Sequence, residues 1–200
     1  MLQKVLSLDD LPQFSLQRFA RLLVLLVLGL TAFNYAMGFA SDNVFAYLSG
    51  FESRDTYLAG TLGGYYKAIQ YVNTLPPSSQ TLFLWEPRSY YARRNVQPDA
   101  ILDAFAHLDS QFHDADSLTA ALRQQGYTHI LLSRIGLDYL LQTAYDPIAT
   151  ADTQLLQEMT ARYWKQVYGN TPFEIVTRDG VPALLNASDD QYAVYEIESP

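Results

Sequence analysis

The chain has 200 residues, with 13 Lys and Arg against 21 Asp and Glu, a net charge of −8 and no cysteine. That acidity argues against nucleic acid and against tight docking on anionic lipid, since both present negative phosphate to the protein. Without cysteine there is no disulfide and no thiolate metal site.

Residues 1–18 read as a cytoplasmic stub and residues 19–40 as a transmembrane helix. From Leu22 to Phe39 no residue is charged, and Asn34 is the only strongly polar side chain. About 18–21 such residues in a helix span roughly 30 Å of hydrocarbon, and a helix pairs every backbone group internally where no water can. Lys4, Arg18 and Arg21 precede the run, and no Lys or Arg follows it until Arg54. The positive-inside rule then predicts a single pass through the cell membrane, N-terminus cytoplasmic and C-terminal domain extracytoplasmic. Charge divides the same way: three basic and two acidic residues lie in 1–40, a net +1, against ten basic and nineteen acidic beyond, a net −9. A cleaved signal peptide is the competing reading, because Gly38, Ala40 and Ser41 are small where a peptidase cuts. The length of the apolar run, and Asp9 and Asp10 in the long segment ahead of it, favour a retained anchor.

Residues 41–54 form a juxtamembrane segment. Phe45, Tyr47 and Phe51, with Phe39 before them, suit the outer interface where aromatic rings settle. Residues 55–200 are then an extracytoplasmic α/β domain, long enough for one core. A first helix is predicted over Tyr57–Thr74 from Leu58, Leu62, Tyr65, Tyr66, Ile69 and Val72 at helical spacing, weakened by Gly60, Gly63 and Gly64. Pro76-Pro77 stops it. Thr81–Trp85 is a continuous apolar run and reads as a buried strand. A second helix follows over Ala100–Leu108. A third is capped by Asp116 or Ser117 and closes at Gly126.

Thr128–Ser133 reads as a second buried strand, completing a strand–helix–strand unit that favours parallel pairing. Gly136–Thr143 is predicted helical, and Asp152–Tyr168 is an amphipathic helix with Leu155, Leu156, Met159, Tyr163 and Val167 on one face. Phe173–Thr177 reads as a third strand and Ala183–Leu185 as a short strand or loop. Tyr192–Ile197 alternates and reads as a half-exposed antiparallel edge strand. The predicted fold is a small layered α/β domain with a mainly parallel sheet and an antiparallel C-terminal edge, behind a single N-terminal transmembrane helix.

Chemistry concentrates in Glu86-Pro87-Arg88-Ser89-Tyr90-Tyr91, at the carboxyl end of the first strand. That is the end of a parallel sheet where ligands bind. One reading makes Glu86, Arg88, Tyr90, Tyr91 and Arg134, at the end of the second strand, a polar ligand cleft with tyrosine faces for sugar rings. The other pairs Glu86 with Arg88, or sets them against Asp99 and Asp103, as loop structure. Asp99 at a helix start fits a cap or dipole partner better than an acid–base carboxylate.

His129 inside a strand reads as a hydrogen-bonded core residue. His107 and His113 stand six apart, which fits neither a helical nor a strand ligand pair, so no metal is expected there. None of GxSxG, HExxH, GxxxxGK[ST] or GxGxxG occurs, and no cofactor is implied.

The runs Gly63-Gly64-Tyr65-Tyr66, Tyr71-Val72-Asn73-Thr74-Leu75-Pro76-Pro77, Leu82–Tyr91 and Gln125–Leu132 carry a resemblance. From about residue 20 to 197 the chain resembles the extracytoplasmic C-terminal region of polytopic membrane proteins similar to GT-C-type glycosyltransferases, which use lipid-linked sugar donors. The resemblance implies an accessory or terminal part of such a protein, in contact with the bilayer, other membrane proteins or a lipid-linked sugar. Those enzymes carry their catalytic Asp or Glu in the first extracytoplasmic loop of a many-helix bundle. This sequence has one such helix and no such loop, so no catalytic residue carries over. The alternative expectation is a stand-alone single-pass module that binds a membrane-protein partner or an envelope glycan.

Overall fold

The computed structural model describes residues 16–41, 44–143, 148, 150–178, 180–188 and 190–198. The expected cytoplasmic stub, up to residue 15, lies outside the described residues. The chain divides into two compact units, residues 1–57 and 58–200.

In the first unit, helix α1 (Leu16–Ser41) is 26 residues long. Its span Gln17–Ser41 is long and apolar enough to cross a membrane, and none of it is buried. Asn34, its polar side chain, turns back on the helix and donates from Nδ2 to the Leu30 carbonyl at 2.9 Å. A short helix α2 (Val44–Leu48) follows, with Phe45, Leu48 and Phe51 exposed. Tyr47 stacks on Tyr57 with ring centres 4.8 Å apart.

The helix expected over Tyr57–Thr74 is two helices, α3 (Arg54–Leu62) and α4 (Gly64–Thr74). Gly63 separates them at φ 58°, ψ −135°, a conformation essentially reserved for glycine. The strands are β1 (Gln80–Leu84), β2 (Asn95–Gln97), β3 (His129–Ser133), β4 (Trp164–Tyr168), β5 (Ile175–Arg178), β6 (Val181–Leu184) and β7 (Tyr192–Ile197). The remaining helices are α5 (Ala104–Gln111), α6 (Ala115–Gln124), α7 (Arg134–Gln142) and α8 (Thr150–Arg162).

The main sheet has the order β2-β1-β3-β7-β4. It is parallel at the β2–β1–β3 edge and antiparallel through β3–β7–β4. Side chains that alternate along each strand separate two cores. Phe83, Leu131, Tyr192 and Val194 pack on Tyr65, Ala68, Ile69 and Val72 of α4. Leu82, Leu84, Ile130, Leu132, Ala193 and Tyr195 pack on the other face against α5, α6, α7 and α8. The domain is therefore three layers, with α4 on one side, where Leu62 at the end of α3 also packs.

Several boundaries differ from the sequence expectation for identifiable reasons. Helix α5 begins at Ala104 rather than Ala100, because the Asp99 carboxylate takes the Ala104 N–H at 3.2 Å and Leu102 turns at φ 63°. The cap of α6 is Asp114, which accepts from Ser117 N at 2.8 Å. The expected Asp152–Tyr168 helix stops at Arg162, and Trp164–Tyr168 becomes the antiparallel edge strand β4, paired to β7. Consequently β7 is interior, not a half-exposed edge: five of its six residues are buried. Strand β5 does not join the main sheet but forms a hairpin with β6.

Candidate functional site

The loop after β1 turns sharply at Trp85, whose φ is 57°. Its N–H is held by Asp99 Oδ2 at 2.9 Å, and the N-terminal turn of α7 closes over it. A Cβ on Gly136 would lie 2.7 Å from the Trp85 carbonyl oxygen, so only glycine lets the two backbones approach.

Beyond this turn Glu86 and Arg88 form a two-pronged ion pair. Arg88 Nε lies 2.8 Å from Glu86 Oε1 and Nη2 lies 2.8 Å from Oε2. The Arg88 backbone N–H adds a bond to Oε1 at 2.9 Å. Tyr192 closes the ring of contacts: its hydroxyl donates to Glu86 Oε2 at 2.7 Å and accepts from Arg88 Nη2 at 2.8 Å. The guanidinium also stands 4.1 Å from the centre of the Tyr65 ring, and Tyr65 OH donates to the Arg88 carbonyl at 3.1 Å.

Glu86 is 2% exposed, whereas the Arg88 side chain is half exposed. Burial, then the Glu86 charge, pushes Tyr65 up to about 12. Burial and the hydrogen bond to Glu86 do the same to Tyr192, also about 12. Both hydroxyls therefore stay protonated donors near neutral pH. The hydrogen bond to Glu86 raises Arg88 above its ordinary range.

Among the five residues proposed from sequence, the structure brings Glu86 and Arg88 into direct contact. Tyr91 packs edge-on against both Tyr66 and Tyr90, with centres 5.5 and 5.0 Å away. Its carbonyl accepts from Asn73 Nδ2 at 3.0 Å. Tyr90 is 87% exposed.

Arg134 stands apart. It is fully buried, donates to the Thr171 carbonyl and lies 4.0 Å from Asp190 Oδ2. It neighbours Tyr195, whose hydroxyl burial pushes upward and the Arg134 charge pulls back down. Tyr195 and Tyr192 stand three apart on β7 and so point to opposite faces. The two arginines therefore sit on different sides of the sheet.

Asp99 and Asp103 take no part in the Glu86–Arg88 pair. Asp99, 2% exposed, is a backbone clamp whose carboxyl burial pushes upward, with hydrogen bonds from Trp85 and Ala104 opposing. His129 is buried, bonds Thr128 Oγ1 through Nδ1 at 2.8 Å, and is pushed below its ordinary range by burial. Among the described residues no three His, Cys, Asp or Glu side chains are grouped to hold a metal ion.

Sequence reasoning missed Tyr65 and Tyr192, the two partners that complete the cluster. Tyr65 was legible only as a core helix position and Tyr192 only as the start of a strand. Their hydroxyls meet Arg88 and Glu86 because α4 and β7 stack on the same sheet face. Comparison with protein-family models, curated proteins and solved structures finds no match.

Proposed function

We propose that this chain is a membrane-anchored, extracytoplasmic α/β module that works by binding rather than by catalysis, as an accessory or terminal part of a glycosyltransferase-like membrane protein. The observation that carries this reading is the apolar helix Gln17–Ser41, none of it buried, ahead of an acidic layered domain. The basic residues before that helix support a cytoplasmic N-terminus and a single pass. The strand-end loop supports a non-catalytic role. Glu86, 2% exposed, is the one acid in residues 85–94, and both its carboxylate oxygens are already engaged by Arg88 and Tyr192. A general acid or base needs an oxygen free to reach a substrate proton.

Two assays test this. Protease added to intact spheroplasts should digest the domain; full protection would reverse the orientation. The full chain, purified in lipid nanodiscs, should transfer no sugar from a lipid-phosphate donor. Turnover abolished by a single Asp or Glu substitution would overturn the non-catalytic reading. A reading frame immediately upstream that encodes many apolar helices supports the terminal-part form, and its absence supports the stand-alone module.

A further inference from the structure

A polar groove of about 370 Å³ lies beside the start of α4, where Lys67, Tyr168, Asn170, Asp190 and Gln191 line it together with Tyr192, whose hydroxyl belongs to the Glu86 cluster. Its walls are built around glycine. At Gly64 an added Cβ would stand 2.8 Å from Gln191 Oε1 and 3.3 Å from the Tyr192 ring. Gly169 adopts φ +98°, and its Cβ would stand 3.1 Å from Asp190 Oδ2. That left-handed turn delivers two backbone donors to the same oxygen: Asn170 N at 2.6 Å and Thr171 N at 2.8 Å.

Behind Asp190 sits the fully buried Arg134, with Nη1 at 4.0 Å from Oδ2 and with Nε and Nη1 lacking hydrogen-bond partners. Oδ2 is thus crowded with donors, and among the described residues no hydrogen bond engages Oδ1 of this groove-lining carboxylate. The Tyr168 ring is fixed by the Tyr71 ring, 5.1 Å away, and presents flat surface to the same space.

The geometry points to a neutral saccharide as the occupant. One fixed carboxylate oxygen, a flexible ammonium, two amides and a tyrosine ring form an alternating set of acceptors and donors beside an apolar face. Vicinal hydroxyls on a sugar ring answer that set, and the C–H face of the ring answers the tyrosine. A phosphate or carboxylate would meet the Asp190 charge. A metal ion would find one carboxylate, and among the described residues none of the three-ligand groups it needs occurs. An apolar ligand would strand both amides. The volume holds one or two sugar rings, at the small end of ligand sites. This inference rests on the binding-module reading above and gives it a site and a ligand class.

The test uses the full chain in lipid nanodiscs free of sugar-based detergent, with chitotriose, maltotriose, mannotriose and inorganic phosphate as probes. Saturation-transfer NMR and calorimetric titration should detect at least one trisaccharide and not phosphate. Lys67→Met, an exposed change that leaves the fold intact, should weaken that binding at least fivefold, and Asp190→Asn at least tenfold. Ile101→Ala, remote from the groove, should leave it unchanged. Absence of binding by all three trisaccharides, binding that Lys67→Met does not alter, or a groove that takes phosphate instead would each overturn the assignment. A chain that stays membrane-integrated yet binds no saccharide loses only this inference; one that binds saccharide but leaves the membrane loses only the anchoring.

Discussion

Removing the Arg88 side chain separates a structural loop from a ligand cleft. Glu86 is 2% exposed, and Arg88 supplies it with two guanidinium bonds at 2.8 Å. Arg88→Ala leaves the carboxylate with the Tyr192 hydroxyl and the backbone N–H of residue 88. Stripping one partner from a fully buried pair costs about 3–5 kcal/mol. Here the Arg88 side chain is half exposed, so water already screens that side and enters when the guanidinium leaves. The expected loss is therefore about 1–3 kcal/mol. For a domain of this size that lowers Tm by about 3–12 °C.

Glu86→Gln together with Arg88→Ala should cost less than the two changes summed, because the double variant strands no charge. The readout is near-ultraviolet circular dichroism of the full chain in nanodiscs, which reports Tyr65 and Tyr192 packing. The binding titration above runs beside it. A melt within about 1 °C of the parent, combined with lost saccharide binding, would refute the structural pairing and restore Arg88 as a ligand contact.

Other perturbations follow from the same structure. Gly63→Ala forces a Cβ into φ 58°, ψ −135° and should destabilise the domain by about 1–3 kcal/mol in urea titration; an unchanged midpoint would contradict the glycine-broken helix. Leu131→Ala, at a position fully buried against α4, should cost about 2–5 kcal/mol by the same titration, and a loss under about 1 kcal/mol would contradict the packing of that layer. Burial holds His129 below its ordinary range, so the unfolded chain takes up that proton first as pH falls below about 6.5. Stability should therefore decline from there down to the lowered native value, and His129→Gln should flatten that part of the profile; an unchanged slope would refute it.

Continuous apolar runs made β1 and β3 readable, because four consecutive buried residues in β1 and five in β3 leave little other solution. The helix α1 was readable for the same reason. Strand β4 was not, since Tyr163 and Val167 continue the helical spacing of Leu155, Leu156 and Met159. Only pairing with Val194, Tyr195, Glu196 and Ile197 of β7 pulls that segment into the sheet. The turn from Asp99 to Ala104 was hidden because a carboxylate reaching back to Trp85 is a tertiary contact. In the candidate site, the Glu86–Arg88 pair was legible from its spacing of two. Tyr192, 106 positions from Glu86, and the burial of Arg134 on the opposite face depend on sheet order, which no local pattern carries. The groove was foreshadowed only by Gly63-Gly64 weakening a predicted helix.

Membrane anchoring through Gln17–Ser41 is most directly tested by alkaline carbonate extraction of cells expressing the chain, with N-terminal sequencing of the product. The account predicts that the protein stays in the membrane pellet with residues 17–41 retained. Recovery in the soluble fraction with a mature N-terminus at Ser41 would contradict it.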